Sequence, residues 1–435
     1  MMSKLSLFPL TTKANDAGHL VIGGCDSIEL AAEFGTPLYI FDELSLRHKC
    51  AEFRDEFSRC YTDTKVVYAC KAFISRTLAT IFKEEGLGLD VVSAGEMSIA
   101  QSAHFPLDKV YFHGNNKSAE ELQLALKWHI GRIVVDNFHE LRMLDEIAKK
   151  QGAKPDILLR LSPGVDPHTH KYIATGVTDS KFGFFLSGAA EAVAQAMSSP
   201  NLNLVGLHFH IGSLIFEVEP YLQAIEIVLN FANDMKSRYR LEPRELNIGG
   251  GFAIQYTQDR PVSPVSVYAQ AIATKVVSNC QKLGLALPGL VVEPGRAIIG
   301  QAGVALYEVG AIKDIPGIRR YVSVDGGMGD NIRPALYGAK YEAVVANKMR
   351  ETEAREVTIA GKFCESGDIL IKDITLPSVS AGDIIALPTC GAYCLPMASN
   401  YNASFKPAVV LVKEGKARLI RRRENLADLT SCDLV

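Results

Sequence analysis

From residue 66 onward the chain repeats one pattern eight times: a short apolar run, a polar turn, then a longer stretch with apolar residues at helical spacing. The runs are 66–70, 87–93, 109–114, 132–137, 156–162, 204–211, 245–249 and 290–293, and segments such as 75–85, 119–127 and 141–151 carry the helical spacing between them. Strands that are each followed by a crossover helix pair in parallel, and a parallel sheet needs both faces covered. Eight such units predict an α/β fold, a closed (β/α)8 TIM-like barrel. The fifth-to-sixth crossover is long and opens on Pro167, His168, Thr169 and His170.

After about residue 300 the texture changes to runs at 303–312, 320–324, 357–359, 383–387, 407–412 and 417–421, separated by turns and without intervening helices. That predicts a second, mostly antiparallel β domain. The runs at 20–24 and 37–40 read as strands able to pair with either domain. With 435 residues, 48% of them apolar, the chain can fill a core in each. The division expected is an N-terminal segment over 1–44 that packs with the β domain, the barrel over 45–300 and the β domain over 301–435.

A net charge of −3 with both signs mixed along the chain offers no basic stretch for nucleic acid or an anionic membrane surface. No run reaches the roughly 18 to 20 apolar residues of a membrane span, and the start, Met1 to Ser6, has no apolar core of signal length. Nine cysteines without framework spacing suit a reducing compartment, so a cytoplasmic protein is expected. Cys390 and Cys394 stand four apart without a second pair, and no metal is expected there.

Catalytic groups of a parallel barrel gather at the carboxyl ends of its strands, and phosphate often sits in the loops after the seventh and eighth. Lys71 ends the first run, His210 lies near the end of the sixth, Gly249-Gly250-Gly251 ends the seventh and Glu293-Pro294-Gly295-Arg296 ends the eighth. A lysine amine among small apolar neighbours loses its charge more easily and forms a Schiff base with a carbonyl, while consecutive glycines let backbone N–H groups close on a phosphate. Together they point to pyridoxal phosphate. Taken singly, each has a plainer reading: a glycine triplet as a tight turn, Glu293 as a solvated loop acid, a strand histidine as structural. Within the cofactor reading Glu293 keeps the ring nitrogen protonated, His210 stacks on the ring, Ser213 donates to the phosphate, and His208, on the same strand face as His210, has a packing or supporting role.

The barrel motifs are Tyr68-Ala69-Cys70-Lys71-Ala72, Asp90-Val91-Val92-Ser93-Ala94-Gly95-Glu96, His210-Ile211-Gly212-Ser213, Asn247-Ile248-Gly249-Gly250-Gly251 and Glu293-Pro294-Gly295-Arg296. They resemble those of the barrel-fold pyridoxal-phosphate enzymes, a group that includes diaminopimelate decarboxylases, ornithine decarboxylases and alanine racemases. Three later segments narrow the likeness: Asp325-Gly326-Gly327-Met328 leading to Ile332-Arg333-Pro334-Ala335-Leu336-Tyr337, Gly361-Lys362-Phe363-Cys364-Glu365-Ser366-Gly367-Asp368, and Gly391-Ala392-Tyr393-Cys394 running on to Asn402. With them the chain resembles the diaminopimelate decarboxylases from about residue 35 to about residue 425.

The resemblance implies a barrel joined by N-terminal strands to a Greek-key-like β domain, and pyridoxal 5'-phosphate held by Lys71, His210, Ser213, Gly250, Gly251, Glu293, Gly295, Arg296 and Tyr393. It implies that Arg296, Arg333, Tyr337, Glu365 and Tyr393 touch an amino-acid substrate, with Glu365 pairing its distal ammonium, and that Cys364 is the proton donor. The implied reaction is decarboxylation of meso-2,6-diaminopimelate to L-lysine, the last step of lysine synthesis, in a homodimer whose sites are shared between subunits. Within the same class stand decarboxylases of ornithine, arginine, carboxynorspermidine or D-configured basic amino acids. A racemase would need a second base, and a non-catalytic relative would have lost Lys71 or Cys364. The stretch His168 to Gly176, followed by Ser180-Lys181-Phe182-Gly183, resembles the loop that closes over the site. Phe73, Lys171 and Leu214 depart from the family's commonest residues without removing a catalytic group.

Overall fold

The eight apolar runs become strands β1 (Thr64–Ala69), β2 (Gly88–Val91), β3 (Val110–Phe112), β4 (Arg132–Val135), β5 (Asp156–Ser162), β6 (Asn203–Phe209), β7 (Glu245–Asn247) and β8 (Gly289–Val292). The computed structural model describes residues 4–166 and 180–434. Each strand pairs in parallel with the next, and β8 pairs with β1, so the sheet closes into a barrel. One short strand outside the sequence count, Phe184–Phe185, adds in parallel to β5. The loop proposed from His168 to Gly176 lies outside the described residues.

Local chemistry sets the strand-to-helix turns. Ser75, Ser93, Ser118 and Asn137 each cap the helix that follows, their side chains accepting the N–H groups of Leu78, Glu96, Glu121 and Glu140. Such caps are worth about 1 kcal/mol apiece and pin where each strand must end. Inside the ring Val67, Tyr111, Val134, Leu158, Val205 and Val291 form a buried apolar plug. At the amino end of the barrel Glu245 receives Lys65 Nζ at 2.6 Å, Arg132 Nη2 at 2.7 Å and the Tyr111 hydroxyl at 3.1 Å.

The chain divides into two units, Cys50–Ala253 with Val262–Gly295, and Met1–Lys49 with Ile254–Pro261 and Arg296–Val435. The sequence boundaries near 44 and 300 did not anticipate that Ile254–Pro261, which follows β7, belongs with the β unit. That unit is built around the long strand Gly303–Ile315, antiparallel to Leu38–Asp42, Ile384–Leu387 and Arg319–Val324. Most of its pairings are antiparallel, but Arg319–Val324 runs parallel to Ala354–Ala360, and Ala408–Lys413 runs parallel to Leu38–Asp42. The run at 37–40 therefore joins the β unit, while Leu20–Ile22 sits in a small three-stranded sheet with Lys13–Ala14 and Cys25–Asp26. Strands Val344–Val345 and Ile369–Pro377 were not in the sequence count. Among the described residues no helix is long and apolar enough to cross a membrane.

Candidate active site

At the carboxyl end of the barrel, Lys71 projects from the one-turn helix Cys70–Ala72 that closes β1 and is exposed. Its charge acts on Asp90, Glu96 and His210, which places these groups around it. Burial raises the Asp90 carboxyl first, and Asp90 Oδ1 is buried without a hydrogen-bond partner among the described residues. Burial also pushes Glu96 up to about 7.

Glu293 directly follows β8 and is 5% exposed, so it is not a solvated loop acid. Asn247 Nδ2 donates to its Oε1 at 2.6 Å, His208 Nε2 lies 3.3 Å from Oε2, and His113 Nε2 approaches Oε1 to 2.8 Å, off the hydrogen-bond axis. Burial opposes ionisation, yet the two histidines outweigh it and hold the carboxyl well below the usual carboxylate range. Burial keeps His208 neutral, pushing it down to about 3, so this ring serves Glu293 as an N–H donor rather than as a cation. Among the described residues no lysine or arginine lies within ion-pair distance of Glu293, and a carboxylate with about four acceptor sites has room for one more donor.

His210 follows β6 and its Nδ1 accepts the Gly250 N–H at 3.2 Å, which fixes the ring as an acceptor there; burial first, then Lys71, holds its pKa well below the ordinary histidine value. The glycine triplet is packed tightly. A Cβ on Gly250 would meet the Glu293 carbonyl at 2.1 Å, and one on Gly251, at φ +101°, would meet the Gly212 carbonyl at 2.5 Å. The described residues supply no acceptor for the Gly251 N–H. Ser213 is exposed in the loop after β6, and a Cβ on Gly295 would press on Ala69 and Ala72, which flank Cys70 and Lys71, at 3.0 and 3.2 Å. An exposed lysine, an open N–H beside close-approach glycines and a buried ionised carboxylate fit an aldehyde, a phosphate and a ring N–H respectively.

In the β unit Arg333 opens the short helix Arg333–Tyr337 and is only 3% exposed. It is not the surface charge that an isolated arginine suggests. Among the described residues no carboxylate lies within ion-pair distance of it, and its Nη1 donates to the Tyr341 hydroxyl. Its guanidinium lies over Tyr256 at 4.7 Å. Arg296 Nη1 donates to the Tyr256 hydroxyl at 2.6 Å, and its guanidinium lies over Tyr393 at 4.5 Å. Tyr393 sits at φ +61°, a left-handed conformation held by its surroundings.

Three expected site residues stand apart from this cluster. Cys364 and Glu365 are exposed on a loop tied down by the Cys364 N–H to Asn402 Oδ1 at 2.9 Å, and Tyr337 is 64% exposed. Conversely, His113, Tyr256 and Tyr341 enter the site without having been expected, and Asn247 stood in a motif with no role attached. Only Asn247 had a sequence signal, its place before the glycines.

The pyridoxal binding domain of the pyridoxal-dependent decarboxylases matches residues 44–300. Diaminopimelate decarboxylase of Bacillus subtilis (strain 168) is 47% identical over 426 residues, 98% of this chain and 97% of that one. The chain belongs to the diaminopimelate decarboxylase family. A crystal structure from the same family, that of M. jannaschii in co-complex with L-lysine, aligns with a TM-score of 0.93 at 35% identity over 98% of each chain. A lysine/ornithine decarboxylase from Vibrio vulnificus, at 23% identity and a TM-score of 0.75 over 89% of this chain and 98% of that one, shares the fold. The family's barrel and β unit thus carry, in this chain, two separate clusters of buried charge.

Proposed function

We propose that this chain decarboxylates meso-2,6-diaminopimelate to L-lysine and carbon dioxide with pyridoxal 5'-phosphate as cofactor. The observation that carries the substrate is Arg333, a buried cation left without a carboxylate among the described residues. Buried charges are ordinarily paired, so its counter-ion is to be brought by the ligand. A substrate whose far end is an amino acid supplies one, and a bare diamine end does not.

When bound, the cofactor supplies the electron sink that makes loss of the α-carboxylate feasible. Lys71 holds it covalently, and Glu293, ionised and hydrogen-bonded in the barrel, keeps the proton on its ring nitrogen. Gly250, Gly251, Gly295 and Ser213 form the phosphate side, and His210 offers a neutral ring to stack. Arg296 and Arg333 grip the distal carboxylate with Tyr337 and Tyr393 beside them, Glu365 takes the distal ammonium, and Cys364 delivers a proton to the α-carbon. The exposure of Cys364 and Glu365 on their own protomer supports a site completed by a second copy, in which the β unit of one chain serves the barrel of another in a two-fold dimer. Nine free thiols suit the reducing cytoplasm.

The test is carbon dioxide release from meso-diaminopimelate, ornithine, lysine, arginine and carboxynorspermidine, with peptide mapping after borohydride reduction. Turnover of meso-diaminopimelate and a reduced adduct on Lys71 are expected. Preference for any other substrate, or an adduct on another lysine, refutes the assignment.

A further inference from the structure

Two like-charged guanidiniums sharing one cluster should repel and splay apart unless something holds both. A carboxylate could do this; for Arg333, among the described residues, neutral phenols do it. Tyr256 bridges the pair: its hydroxyl accepts from Arg296 at 2.6 Å, and its ring lies under Arg333 at 4.7 Å and under Arg296 at 5.7 Å. Tyr341 completes the frame, its hydroxyl accepting from Arg333, its ring 5.5 Å from that guanidinium and edge-on to Tyr256 at 5.5 Å. Tyr341 is 4% exposed and its hydroxyl lies 3.6 Å from Cys394 Sγ, so it has no freedom to swing away.

We infer that Tyr256 and Tyr341 are positioning residues that set the spacing of the Arg296–Arg333 pair and so determine selectivity for a ligand with a distal carboxylate. This rests on the reading of those arginines as the carboxylate grip. The chemical logic is that an acidic partner would neutralise Arg333 and compete with the incoming carboxylate, whereas a phenol and a π face orient the cation and leave its charge available. Guanidinium has five N–H donors in a fixed fork, and Tyr341 is the one hydrogen-bond acceptor of Arg333 among the described residues, so the remaining edge is kept for a planar anion.

The test uses holoenzyme carrying Tyr341→Phe or Tyr256→Phe, each of which keeps the ring and removes only the hydroxyl. Competitive inhibition by L-lysine, which retains the distal carboxylate, is compared with that by cadaverine, which lacks it. At unchanged cofactor content and melting temperature, each variant is expected to raise the L-lysine inhibition constant and the KM for meso-diaminopimelate about tenfold, with kcat within about threefold and the cadaverine constant within about twofold. Lysine and cadaverine constants that shift together, or that both stay at wild-type values, overturn the inference. A wild-type enzyme that fails to turn over meso-diaminopimelate instead sinks the functional reading beneath it. If one variant fails to fold, the other decides alone, since the two hydroxyls bind different arginines.

Discussion

The two ends of the barrel each bury a glutamate at the edge of a strand, and they treat it differently. At the amino end Glu245 is closed off by two cations, Lys65 and Arg132, so its charge is neutralised within the chain. At the carboxyl end Glu293 is held by Asn247 and by histidines, of which His208 is kept neutral, with no lysine or arginine within ion-pair distance among the described residues. The first arrangement is finished; the second still has a charge to give. Arg333 in the β unit follows the second pattern with the opposite sign, a cation framed by tyrosines. A buried charge balanced inside the protein by lysine or arginine marks structure, and one without a permanently charged counter-ion within ion-pair distance marks a place where a ligand completes the balance.

This contrast can be broken by substitution. Glu293→Gln removes the charge that would hold a ring proton and should lower kcat about 10²- to 10³-fold while the fold survives, since the amide keeps polar contacts with Asn247. A variant that turns over at the wild-type rate would make Glu293 structural like its counterpart. Arg333→Ala should cost about 2 to 4 kcal/mol in kcat/KM for meso-diaminopimelate. An unchanged specificity constant would remove the substrate role. Glu245→Gln should do the reverse of Glu293→Gln: it removes the carboxylate shared by half-exposed Lys65 and by Arg132, which keeps only Asp156, costing about 2 to 3 kcal/mol in urea unfolding with kcat intact at low temperature.

The smallest effect is one of pH. His208 is held neutral in the fold, down to about 3 by burial, against an ordinary value of 6.5. Between those values the unfolded chain binds a proton that the fold refuses, so stability is full above about 6.5 and is lost as pH falls towards about 3, at up to about 1.4 kcal/mol per unit. Urea midpoints measured from pH 7 to pH 5 should therefore fall less steeply in His208→Gln than in the wild type. Equal slopes would show that His208 takes up its proton in the folded state.

How much of this was readable beforehand follows the same physics. The eight barrel strands are buried on both faces, so they appear as continuous apolar runs, and Ser or Asn caps mark the ends of several. Ile369–Pro377 escaped because Lys372 and Asp373 interrupt it and Asp373 sits at φ +55°, which breaks the alternation. Val344–Val345 is too short to carry a period. Lys71 and Glu293 were legible as chemistry-bearing residues at strand ends. Tyr256 and His113 were not, since their value lies in neighbours that only the closed fold brings within reach: Arg296 and Arg333 for one, Glu293 for the other.

Glu293 and Arg333 are each framed by residues of one chain, but Cys364, the proposed proton donor, stands exposed on its loop, and this is where the proposal of a shared site is most open to test. Lys71→Ala and Cys364→Ala, each inactive and each shown to fold, are mixed under conditions in which subunit exchange is independently demonstrated. If barrel and Cys364 loop come from different copies, half the dimers are mixed and each has one intact site, so activity should return to about a quarter of wild type. If activity stays at the level of the separate variants despite exchange, the site is built within a single chain and the shared dimer is wrong.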